Sequence, residues 1–141
     1  MKRQIQGLGR TAISDVDTPD GIYLVRTQRA HYRWHKHKPF YSLHFYVLRP
    51  LAFVAGSISA RLYCGPKGLW MLGWFLRDFG YNQDLLDRDE IDDQALIGLQ
   101  GIIRISHQIL SGRSVLNLDA FAPAADWDRL ASAEERSSDV A

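Results

Sequence analysis

The sequence of 141 residues has no acidic side chain between positions 21 and 77, a segment that carries nine Lys or Arg residues. Its single cysteine, Cys64, excludes a disulfide framework and a cysteine-based zinc site. No segment approaches the roughly 20 apolar residues that a membrane-spanning helix needs. No apolar run follows Lys2 and Arg3, so a signal peptide is not expected. We therefore expect a soluble protein of a reducing cytoplasm.

The charges and rings that are present are unevenly distributed. Fourteen of the 16 aromatic residues lie between Tyr23 and Tyr81. From Asp78 onward 13 acids accompany five basic residues, so the net charge of +1 conceals one half near +9 and another near −8. Solubility alone would favour mixed signs. Cations interleaved with aromatic rings are what phosphate neutralisation and base stacking require, so single-stranded nucleic acid is the first partner to consider.

Hydrophobic periodicity and turn signals predict three strands, one helix and two further strands. The strands are expected at 22–29, 40–48, 57–63, 101–110 and 114–121, and the helix at 66–80. Residues 30–39 are expected to form a projecting loop or hairpin tip, and 82–93 an acidic connector followed by a short turn or helix. We expect a flexible segment over 1–20, one domain over 21–128 and a disordered tail over 129–141.

This order of elements predicts a mainly β fold with one or two helices. A five-stranded Greek-key barrel of the OB type has this order, with its helix between strands 3 and 4. A generic α+β sheet covered by one helix is the alternative.

Alternation along the strands identifies candidate binding residues. In an OB barrel the ligand lies on the exposed side of strands two and three and on the loop between strands one and two. Cations there would contact phosphates and rings would stack bases, although each single ring is as readily a packing residue. The candidates are Arg26, Arg33, Trp34, Lys36, Lys38, His44, Tyr46, Arg61 and Tyr63.

No catalytic constellation is recognisable in the sequence. The histidines between positions 31 and 44 have no carboxylate or cysteine close by to complete a metal site. Cys64 has no indicated base and is interpreted as a packed side chain. We expect neither cofactor nor metal.

Four short sequence segments resemble small phage and mobile-element proteins of the OB fold. Those proteins bind single-stranded DNA, and their genes are found beside recombination genes. The four segments lie at 20–25 (DGIYLV), 38–45 (KPFYSLHF), 69–80 and 112–118 (GRSVLNL), and the resemblance spans residues 21–123. It implies a role in DNA replication or recombination. Many bacterial single-strand binders recruit partners through a strongly acidic tail tipped with an aromatic residue. Residues 133–141 are only mildly acidic and end in alanine, so that kind of recruitment is not implied.

The leading hypothesis is a non-enzymatic protein that binds single-stranded DNA with little sequence preference. One alternative is a protein-interaction module whose basic face docks on an acidic partner, and a weaker one is a small metal-dependent nuclease that uses the histidine-rich loop. The sequence does not discriminate DNA from RNA. It allows a homo-oligomer without fixing a stoichiometry.

Overall fold

Five antiparallel strands form one sheet in a computed structural model that describes residues 2–4 and 18–140. The strands are β1 (Gly21–His35), β2 (Lys38–Arg49), β3 (Ser57–Tyr63), β4 (Gln100–Leu110) and β5 (Arg113–Pro123). Their order across the sheet is β3-β2-β1-β4-β5. The expectation of a mainly β protein is confirmed. Of the segment expected to be flexible, 1–20, residues 1 and 5–17 lie outside the described residues.

The described part of the chain contains four α-helices, whereas the sequence predicted one or two. They are α1 (Leu69–Asp78), α2 (Gln83–Asp87), α3 (Asp93–Leu96) and α4 (Trp127–Val140), with short 3₁₀ turns at Leu51–Phe53 and Ala124–Asp126. The acidic connector holds α2 and α3 because two of its polar residues act as N-caps. Asn82 accepts a hydrogen bond from the Leu85 amide at 3.2 Å, and Asp92 accepts one from the Gln94 amide at 3.0 Å.

The segment at 30–39, predicted to be a projecting loop or hairpin tip, is the far end of the first hairpin. β1 and β2 remain paired out to His35 and Lys38. Lys36 and His37 form the turn with φ values of 49° and 66°. Positive φ at both central residues matches the twist of paired strands, so a two-residue turn closes the hairpin although neither residue is glycine.

The core lies on one side of the sheet, beneath α1. Phe75 and Phe79 of α1 pack against Phe45 of β2 and Phe121 of β5, with ring centroids 4.6–6.1 Å apart. β4 approaches this cluster so closely that a Cβ on Gly101 would overlap the Phe79 ring. Rings that meet edge-on fill a core densely, so this cluster fixes α1 against the sheet.

The C-terminal segment, where the sequence predicts a disordered tail over 129–141, contains a helix. Residues 127–140 form α4. Glu134 on this helix accepts a hydrogen bond from the Arg104 guanidinium on β4, and Arg129 pairs with Asp126 at 3.2 Å. A small, polar composition does not reveal such contacts to a distant strand.

Candidate nucleic-acid interface

Cross-strand register brings a set of cations, rings and hydroxyls onto one face of β1, β2 and β3. Residues directly opposite each other in antiparallel strands share a face. Arg26 lies opposite Tyr46, which lies opposite Ser57, and His31 lies opposite Ser42, which lies opposite Arg61. We call this surface the basic face. Its residues are Arg26, Arg29, His31, Arg33 and His35 on β1, Lys38, Phe40, Ser42, His44 and Tyr46 on β2, and Ser57, Ser59, Arg61 and Tyr63 on β3.

Seven of the nine sequence-predicted candidates lie on the basic face. They are Arg26, Arg33, Lys38, His44, Tyr46, Arg61 and Tyr63. The predicted alternation of β2 and β3 is confirmed, because Leu43, Phe45 and Ile58 are fully buried while their neighbours along the strand are not.

The other two candidates lie elsewhere. Lys36 is in the turn at the hairpin tip. Trp34 pairs with Pro39 and points to the opposite side of the hairpin, away from Arg33 and His35. The reason is the strand geometry of 30–35, which turns alternate side chains to opposite faces.

Four further residues of the basic face were missed by the sequence reasoning, namely Arg29, His31, His35 and Phe40. The signal was present in the sequence: basic residues occupy 29, 31, 33 and 35, and apolar residues occupy 30, 32 and 34. The cationic, histidine-rich composition of 30–39 favours a loop or hairpin tip, and side chains in a loop are not expected to alternate between two faces. Phe40 was predicted to begin β2, but the side of the sheet on which it lies was not predicted.

Three rings of the basic face are held by contacts with neighbouring side chains. The Arg26 guanidinium lies 5.2 Å from the Tyr46 ring centroid, and that of Arg61 lies 4.6 Å from the Phe40 centroid. The Tyr63 ring lies 5.4 Å from Phe40. Phe40 is only 3% exposed and Tyr63 is 37% exposed. Phe40 therefore supports Arg61 and Tyr63 from below, and those two side chains remain open to solvent.

A hydrogen bond fixes the histidine at the centre of this face. The Nδ1 atom of His44 lies 2.9 Å from the Ser59 hydroxyl on the adjacent strand. Which of the two atoms donates depends on the tautomer of the ring. In either case the bond orients the imidazole between β2 and β3.

The cations of the basic face have no acidic partner among the described residues. Arg77, Arg88 and Arg129, in contrast, pair with Asp78, Glu90 and Asp126 at 3.6, 3.7 and 3.2 Å. The acids between 84 and 93 lie on α2, on α3 and in the turns beside them. The face therefore presents uncompensated positive charge, which attracts polyanions through the summed field of the protein.

The other side of the first hairpin carries a row of aromatic residues. Tyr32 lies 6.0 Å from Trp34 and 5.4 Å from Tyr41, centroid to centroid. Trp34 is 63% exposed, while Tyr41 is buried. Burial, and then the nearby Asp93 carboxylate, raise the pKa of Tyr41 well above its usual value, which keeps its hydroxyl protonated. The hairpin thus has one cationic and one aromatic side.

Among the described residues, the structure shows neither an activated cysteine nor a metal-binding cluster. Burial raises the pKa of the Cys64 thiol, which disfavours the nucleophilic thiolate. In the portion of the chain that the structure describes, no group of three or more His, Cys, Asp or Glu residues is arranged to hold a metal ion. The basic face therefore presents positive charge and aromatic rings to solvent.

Comparisons with known proteins add no relative. No protein-family model matches the chain, and no curated protein matches its sequence. Among the described residues, no helix combines the length and apolarity needed to cross a membrane.

Proposed function

We propose that this chain is a non-enzymatic protein that binds single-stranded DNA with little sequence preference. Its five Lys or Arg residues on the basic face would contact phosphates, and Tyr46 and Tyr63 would stack bases. The observation that carries the proposal is the alignment of these side chains on three adjacent strands without an acid partner in the described part of the chain. Non-specific binders combine a positive track with sequence-tolerant stacking.

The dimensions of the basic face suit one strand better than a duplex. Three strands about 4.8 Å apart make a face about 10 Å wide. From Arg26 to His35 it extends about 30 Å, at roughly 3.3 Å per residue. Rings on the face of a sheet can stack only on bases that are unpaired, as in the common sheet-based binders of single strands.

We also propose that the sheet forms an OB-type barrel, partly open between β3 and β5. Support comes from the strand order, which places β3 and β5 at the two edges, and from α1, which follows β3 in the chain. In such a barrel the outer side of β2 and β3 is the usual ligand surface. A role in DNA replication or recombination of a phage or mobile element follows from the sequence resemblance and is part of the proposal.

A polarisation titration with a labelled oligo-dT strand tests this function. We expect binding at about 50 mM salt, and at least about tenfold weaker binding to a duplex of equal length. An oligo-U strand measures the preference for DNA over RNA. Absence of binding at low salt, or equal affinity for the duplex, would contradict the proposal. Competition by polyglutamate as strong as that by unlabelled oligo-dT would favour an acidic protein partner instead.

A further inference from the structure

The two edges of the sheet face each other across a groove. β3 pairs only with β2 and β5 only with β4, and no ladder joins β3 to β5 in the described residues. The space between them has a volume of about 650 Å³. It is lined by residues 59–63 of β3 and 114–118 of β5, together with Gly68 and Met71. We call it the edge groove.

Both edges of the groove run in the same direction. Each strand is antiparallel to its neighbours across the order β3-β2-β1-β4-β5, so β3 and β5 point the same way. Edge strands leave a row of backbone N–H and C=O groups without ladder partners. A single extended segment could therefore be antiparallel to both edges at once, which is the more stable pairing mode.

The length of the groove matches a short peptide. Five residues on each edge span about 17 Å, so a segment of five or six residues would pair along the whole groove. Some Cα atoms of β3 and β5 lie within 8 Å of each other. Two strand spacings require about 9.6 Å, so the edges must separate by at least about 2 Å at that point. Without a ladder between β3 and β5, this opening breaks no strand pairing.

The lining specifies the side chains of such a segment. Leu62 is buried, and Ala60, Met71, Leu116 and Leu118 pack against the core, so inward positions favour apolar residues. Arg61 is the one charged residue of the lining that the structure describes, and it lies on the outer face. An acid directly across from it would form a favourable cross-strand pair.

We propose that the edge groove binds an extended peptide of a partner protein by strand addition. The peptide alternates apolar residues, which point inward, with polar residues, and it carries an aspartate or glutamate opposite Arg61. Backbone pairing would provide affinity, and the alternate side chains would provide specificity. The edge groove shares Arg61 and Tyr63 with the basic face but does not include Tyr46, and peptide binding to it does not depend on nucleic-acid binding.

Two synthetic hexapeptides test the proposal. Both have valine at the second, fourth and sixth positions and threonine elsewhere, except for aspartate at the third position of one and lysine at the same position of the other. We expect the wild-type protein to bind the aspartate peptide about two- to fivefold more tightly, as cross-strand charge pairs predict. Arg61→Glu should reverse this preference, and Arg129→Glu, on α4, should leave it unchanged.

Hydrogen exchange of the backbone amides locates the bound peptide. Slower exchange at residues 59–63 and 114–118 would support strand addition. If Arg61→Glu fails to fold, Arg61→Gln should bind both peptides equally. The proposal is overturned if neither peptide binds at about 1 mM, if protection appears on another surface, or if oligo-dT but neither peptide protects these amides.

Discussion

Salt dependence provides the sharpest test of the basic face. Five Lys or Arg side chains lie on it without an acid partner in the described residues: Arg26, Arg29, Arg33, Lys38 and Arg61. Each phosphate contact on a single strand contributes about 0.7 to the slope of log affinity against log salt, so five contacts give about −3.5. Affinity for oligo-dT should then fall about 130-fold between about 50 and 200 mM salt.

Removing two of these charges should change the slope by a defined amount. Arg33 and Lys38 are exposed near the hairpin tip, outside the core. The double variant Arg33→Ala, Lys38→Ala should have a slope of about −2.1 and lose only roughly 20-fold over the same salt range. Polarisation titrations at four or five salt concentrations measure both slopes.

A matched control separates local contacts from net charge. Arg88→Ala with Arg129→Ala removes the same formal charge from two exposed positions outside the basic face. Its slope should equal that of the wild-type protein. If both double variants reduce the magnitude of the slope equally, or if neither does, Arg33 and Lys38 do not act as phosphate contacts on the basic face.

Three further predictions concern stacking, packing and pH. Tyr63→Ala should weaken oligo-dT binding by about 1–3 kcal/mol in the same titration. Trp34→Ala, on the other side of the hairpin, should change the affinity less than twofold. A larger loss from Trp34→Ala than from Tyr63→Ala would count against the basic face as the binding surface. In urea unfolding, Gly101→Ala should lower the free energy of unfolding by about 1–3 kcal/mol, because the new Cβ would overlap a core ring. The matched variant Gly73→Ala places its Cβ in open space inside α1 and should raise the free energy of unfolding by up to about 1 kcal/mol. Burial and then a nearby carboxylate raise the pKa of the Tyr23 hydroxyl from 10.0 to about 12. As pH rises, this hydroxyl therefore ionises in the unfolded chain before it does in the folded chain. The free energy of unfolding should then fall between about pH 10 and about pH 12. Tyr23→Phe should show a shallower fall in alkaline denaturation, and an identical profile would exclude Tyr23 as a cause.

The faces of the strands could be predicted from sequence because the period of two is a local property. The alternation in 40–47 and 57–63 separates buried residues from the outward His44, Tyr46, Arg61 and Tyr63 without knowledge of any partner strand. The rule alone does not carry through β1, because an irregularity between Thr27 and Arg29 shifts the register of that strand. Residues 29–35 alternate equally well, but their cationic, histidine-rich composition favours a loop or hairpin tip. Trp34 was therefore predicted to lie beside the ligand surface, whereas the structure places it on the opposite side of the hairpin.

Contacts between distant segments were not predictable in the same way. α4 meets the sheet through Arg104 and Glu134, which are 30 residues apart. Such contacts depend on where two elements come to lie, and a polar sequence carries no periodic signal of that.

The sequence by itself determined that rings are concentrated between residues 21 and 81, that residues 21–77 carry nine cations and no acid, and that alternate residues of each strand share a side. Only the tertiary structure decided that β1, β2 and β3 align these residues in one register, and that β3 and β5 face each other across a groove. Alternation is fixed by the pleat of a single strand, whereas register and edges depend on pairing between strands that are far apart in the chain.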